Sequence, residues 1–560
     1  MYSRRSNEQI LSVFVCKITV NEKMIERQNS MNQKKQKIRQ KIFFNMLVVF
    51  LFFFIGTTSQ ASLKTAVNKH QNNSEDHPVD IVLLRAEAEN GTSDAQLLLG
   101  YMLEIGQGLP QDFKEAVKWY DMAADQGLAE AQFNLGVMYL DGRGVPQDNK
   151  EALRLFRLAA DQKFPEAQHN LGVLYYNGTS VPLDYTEAAR LFRLAGEQGY
   201  MLAQYNLGSM YAMGQGLPQD YTEAVKWQRL AAEQGLVNAQ YNIGYMYQTG
   251  QFLPEDSNEA VKWYRLAADQ GDARAQNALG IMYGSGKGIP QDSDESIKWH
   301  RLAAEQGLAS AQHALGGKYA NGQGVTQDYT ESAKWYRRAA EQGFAKAQYQ
   351  LGIMYEQGQG VQRDYREAAK WIRLAAEKGR ADAQLELGRV YGAGLGVTQD
   401  FQEAVKWYRL AAEQGLAEAQ CMLGAAYYSG QGVPQDNKEA VKWFRLAAEQ
   451  GVPLAQFYLG LSYVRGDGLS ENHKEALRWF RLAAEQGYAD AQLMLGVTLT
   501  VVDVTPQSFI EGFAWVSVAA SHGVEDASSS LNGFFEYMTP EQIEEAEQLA
   551  EEYLVKYGNN

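Results

Sequence analysis

The sequence predicts an all-α solenoid: about twelve 36-residue helix pairs with a helical cap at each end. Two observations predict it. An Ala-Gln dipeptide recurs at Ala95, Ala131, Ala167, Ala203, Ala239, Ala275, Ala311, Ala347, Ala383, Ala419, Ala455 and Ala491, always 36 residues apart. A fixed period of roughly 20 to 50 residues marks units too small to bury their apolar face alone, which must stack on their neighbours. All ten tryptophans fall at one place in that period, position 24 when the repeated Ala is position 0.

The elements follow in chain order. Residues 1–61 read as a leader containing a signal peptide, with Met31 or Met24 as the natural start: Lys34 to Lys41 form a basic segment, Ile42 to Gly56 an apolar run, and Ser59 and Ala61 the small residues before a cut after Ala61. Fifteen apolar residues fall short of the roughly 20 needed to span a bilayer, so no stable span is expected after cleavage. Residues 62–78 read as a linker. Residues 79–91 read as an N-terminal capping helix with Leu83 in the Trp position, 92–527 as twelve repeats, and 528–560 as a C-terminal capping helix entered at Thr539.

Within a repeat, the first helix carries Ala at 0, Gln at 1, an aliphatic residue at 4, Gly at 5 and usually Tyr at 8, a single helical stripe. Gly at 5 recurs in all twelve units although it costs about 1 kcal/mol against Ala in a helix; close approach of another helix explains it. The helix stops in Gly-x-Gly, as at Gly214 and Gly216. Asp-x-x-Glu, as at Asp220 and Glu223, then reads as a capping box opening the second helix, with Asn472 and Ser508 replacing Asp in the last two units. That helix runs Glu-Ala-x-x-Trp-x-x-x-Ala-Ala; Leu155 and Leu191 replace Trp in two units. An indole at so regular a place is a core wedge.

The formal charge of -15 and pI near 5.1 exclude a phosphate-binding basic surface, so no nucleic-acid partner is expected. Loss of residues 1–61, with ten Lys/Arg and three Asp/Glu, would take the charge to about -22. Cys421 is then the one remaining thiol, so stability in an oxidising compartment rests on packing. The seven His form no metal-type spacing, and Gly-Ser-Gly-Lys-Gly near Lys287 lacks the spacing of a phosphate loop. Neither a metal, a cofactor nor a catalytic constellation is expected.

The combination Ala-x-x-x-Leu-Gly-x-x-Tyr-x-x-Gly-x-Gly-Val, Asp, Ala-x-x-Trp-x-x-x-Ala-Ala-x-x-Gly resembles the Sel1-like repeat family. The resemblance implies a right-handed α/α superhelix related to tetratricopeptide arrays, acting as an adaptor for protein complexes. Some bacterial members are exported and take part in host-cell contact; some of those carry a disulfide in each repeat, which this chain lacks. By similarity to tetratricopeptide arrays, first-helix positions 2, 3, 6 and 9 should line a concave face. Positions 2 and 3 supply Phe133, Asn134, His169, Asn170, Tyr205, Asn206, Tyr241 and Asn242, a ladder whose amides and rings suit an extended peptide. The expectation is a non-catalytic, monomeric scaffold, periplasmic or secreted, binding a protein or peptide. The alternative is a cell-envelope enzyme or glycan-binding factor acting on peptidoglycan or β-lactams.

Overall fold

The computed structural model describes residues 81–557, which form 27 α-helices and no strand. The expected leader and linker lie outside the described residues. The chain divides into two units, Met1–Met282 with Gly286–Pro290 and Tyr283–Ser285 with Gln291–Asn560.

In the first unit each repeat is a pair of 13-residue helices, as in Met201–Met213 followed by Tyr221–Glu233. The first helix ends because Gly214 takes φ 65° and returns its N–H to the Met210 carbonyl. The next helix starts where Asp220 Oδ1 accepts from the backbone N–H of Thr222 at 2.9 Å and of Glu223 at 3.1 Å. Half of the expected capping box is therefore present. The Glu223 carboxylate turns the other way, to Lys226 Nζ at 3.0 Å and to the Trp227 indole N–H at 3.0 Å.

The glycine at position 5 has a specific neighbour: the residue after the tryptophan. A Cβ built on Gly136 would sit 2.8 Å from the Phe156 ring, and one on Gly172 2.8 Å from Phe192. Position 25 is thus the inner wedge, filled by Tyr120, Phe156, Phe192 and Tyr264, all enclosed. The first helix of the unit follows the same rule. In Ile81–Glu89 the buried residue is Leu84, at position 25, whereas Leu83, expected to act as the wedge, is 57% exposed.

The recurrent Gln ties units together. Gln204 Nε2–H donates to the Gly196 carbonyl of the preceding second helix at 3.0 Å, and its Oε1 accepts from Gln234 Nε2–H at 2.7 Å. The buried amide is satisfied on both sides, as buried polar groups must be. Among the described residues three non-glycine residues take the left-handed conformation, Lys163, Ser180 and Phe252, each where the repeat has Gly elsewhere. Each such conformation costs about 1 kcal/mol.

The second unit repeats the scheme, as in Ala381–Ala393 and Phe401–Glu413. Gly388 lies under Tyr408 and Gly424 under Phe444; Gln384 donates to Ala376 and accepts from Gln414. Four indoles of the chain, Trp227, Trp299, Trp479 and Trp515, are buried, and the other six are half-buried. At the C-terminal end the cap of Pro506–Ser521 is Thr505, with Ser508 at its third position making a full capping box; Ser508, expected as the cap itself, takes the partner's role. Pro540–Tyr557 enters through Thr539 and Gln542, and Tyr553 and Tyr557 cover Trp515 at 4.4 and 5.3 Å between centroids.

Candidate binding groove

The eight residues expected on an open concave face are all in the first unit, and all are buried. Phe133 packs on Phe156 and Phe164, and Tyr241 on Tyr264 beneath the Arg274 guanidinium. Two of the amides bond the His169 ring instead of facing outward. Asn206 Nδ2–H donates to His169 Nε2 at 3.0 Å, and His169 Nδ1–H donates to Asn170 Oδ1 at 3.1 Å. Enclosure between Phe192 and Tyr200 lowers the His169 pKa to about 4, so the ring is neutral at ordinary pH. Asn134, 1% exposed, has no partner for either amide atom among the described residues. The ladder is a core feature of the first unit.

In the second unit the same positions are half-buried, apart from the buried Cys421, and shallow space opens over the first helices. Two cavities of about 740 and 340 Å³ share Arg389 and Ala393. Glu386 stands at position 3, Arg389 at position 6 and Glu356 at position 9, placed by the helices Ala381–Ala393 and Ala345–Gln357. Glu386 is 14% exposed in its side chain and pairs with Arg389 at 3.3 Å. Burial, and then the neighbouring Glu386 carboxylate, raise the Glu356 pKa. Beyond Arg389 the lining turns apolar, with Phe401, Tyr408, Met422 and Ala425. Arg363 lines the same space and Arg389 holds Glu386, so Glu356, partly desolvated, is the carboxylate left to meet a cationic side chain beside the apolar floor.

This groove was within reach of the position rule but not of the ladder argument: Glu386 and Met422 occupy position 3, where the first half carries Asn. Cys421 is buried at its edge, and burial pushes its thiol up to about 12, so it is not a nucleophile. Among the described residues no group of acidic, His or Cys side chains could hold a metal ion, and no helix is long and apolar enough to cross a membrane.

The Sel1 repeat model matches eleven consecutive stretches, 93–128, 129–164, 165–200, 202–236, 237–272, 273–308, 309–344, 345–379, 381–416, 417–452 and 453–488. The chain belongs to the Sel1 repeat family. The twelfth Sel1-like pair, Ala489–Val502 and Pro506–Ser521, folds as the others do but lies outside the matched stretches and lacks Gly-x-Gly. Among solved structures, a protective antigen present in uropathogenic Escherichia coli strains, c5321, is 34% identical over 86% of this chain and 95% of its own, with a TM-score of 0.66 and the same SLR fold. A Sel1 repeat protein from Oxalobacter formigenes is 36% identical over 56% of this chain and 90% of its own, with a TM-score of 0.44. No curated protein matches the sequence.

Proposed function

We propose that this Sel1 repeat protein is a non-catalytic scaffold of the cell envelope that binds an extended peptide segment of a partner protein in the groove of its second unit. Sel1 repeat proteins are generally protein-interaction scaffolds. The groove carries the reading: Glu356 and Glu386, with Arg363 and Arg389, line it beside the apolar floor around Met422. Export rests on the leader, with its basic segment, short apolar run and cut after Ala61. A role in host-cell contact is supported by the likeness to a protective antigen of a pathogen.

Calorimetric titration with a blocked hexapeptide of alternating Leu and Lys tests the groove. Glu386→Lys should weaken binding at least about tenfold, because a cation would meet a cation. Its melting temperature should hold, since the Glu386–Arg389 pair is worth at most about 1 kcal/mol. Equal affinity for wild type and variant would refute the placement.

A further inference from the structure

We infer that the first unit holds a second binding site, a slot vacated by Trp at Leu191, which takes the tryptophan side chain of a partner polypeptide. The slot measures about 600 Å³ and lies among the helices Asn149–Asp161, Pro165–Asn177 and Tyr185–Glu197. The next repeat shows what fits. There Trp227 reaches within 3.2 Å of a Cβ built on Gly196, beside Gln204, in the cluster that holds Leu207. Its indole N–H donates to Glu223 at 3.0 Å, and the Lys226 ammonium stands 5.7 Å from the ring centroid. Thirty-six residues earlier these five neighbours are Ala160, Gln168, Leu171, Glu187 and Arg190, and all five line the slot.

The repeat therefore keeps the frame of an indole site, with the carboxylate acceptor and the overlying cation, and omits the indole. Arg190 already holds Glu187 at 2.6 Å, as Lys226 holds Glu223 in the filled copy. An incoming indole would donate its N–H to the same carboxylate.

A second departure from the repeat coincides with the slot. Lys163 lines it and stands where the other units have Gly, at φ 66°. A lysine held in the left-handed region is strained, and strain of this kind gathers at binding sites. Its ammonium stands in a lining of mixed charge, Arg157 and Arg190 with Asp161, Glu187 and Glu197, so the indole frame and not net charge selects the occupant. This site is independent of the groove in the second unit.

The test is a titration of the purified protein with blocked Gly-Ser-Trp-Ser-Gly, and with the same peptide carrying Ala for Trp. The wild type should bind the parent peptide, and the altered peptide at least tenfold more weakly. Leu191→Trp should fill the slot from within, raising the melting temperature and weakening the parent peptide at least tenfold. Glu386→Lys should leave this binding unchanged, which separates the slot from the groove. A lower melting temperature for Leu191→Trp, unaltered peptide affinity in that variant, or no binding by the wild type would each overturn the assignment.

Discussion

Asn134 shows how a single side chain can sit in the wrong company. It is enclosed, with both amide atoms unpaired among the described residues, and each unmet buried polar group costs about 1–3 kcal/mol. Leu98 occupies the same repeat position one unit earlier and is buried without difficulty. Asn134→Leu should therefore stabilise the protein by about 1–3 kcal/mol, read as a higher denaturant midpoint. His169 makes the opposite case, a satisfied polar core residue. Its folded pKa of about 4 lies below the unfolded value of about 6.5, so the unfolded chain binds the proton first as pH falls. Stability is then complete above about pH 6.5, declines down to about pH 4 and levels off below it. Between pH 7 and 5 His169 should account for about 2 kcal/mol of loss, which His169→Gln should remove from the difference between the two unfolding curves. An unchanged difference would show that the ring is open to water. Asn170 and Asn206 hold His169, so replacing either with Ala should lower the melting temperature.

At the scale of the helix pair, the strictest residue is the glycine at position 5, and its reason is steric. A Cβ on Gly424 would lie 2.7 Å from the Phe444 ring. Gly424→Ala gains about 1 kcal/mol of helix propensity and meets an overpacking cost of about 1–3 kcal/mol, so the expected net effect is a lower melting temperature, relieved in part by Phe444→Leu. Helix ends were legible in the sequence because their chemistry is local: Asp220 bonds the N–H groups two and three residues on. The destination of Gln204 was not, since its partners lie 8 and 30 residues away and become neighbours only when units stack. The Asp-x-x-Glu motif misled by half for the same reason. Its Glu finds an indole one turn along the helix before it can return to the cap. Exposure at positions 2 and 3 was the least legible feature, because it depends on how successive units stack. The identical positions are sealed at Asn134 and open at Glu386.

In both units the shared residues are committed to stacking: rings at position 25 under glycine, paired glutamines, and, at Trp119, Trp227, Trp299 and Trp371, indoles held by Glu at position 20. Recognition is left to the residues that vary, and the variable first-helix positions are accessible in the second unit. The Glu356 carboxylate there should make binding of a cationic peptide weaken with salt, since charges near the surface are screened beyond about 10 Å at 0.1 M. The most direct test is the affinity of the Leu-Lys hexapeptide for the wild type and for the double variant Glu356→Lys, Glu386→Lys, with melting temperatures measured alongside. The account predicts that binding is lost while melting is unchanged. Retained binding in the double variant, or binding lost only together with folding, would contradict it.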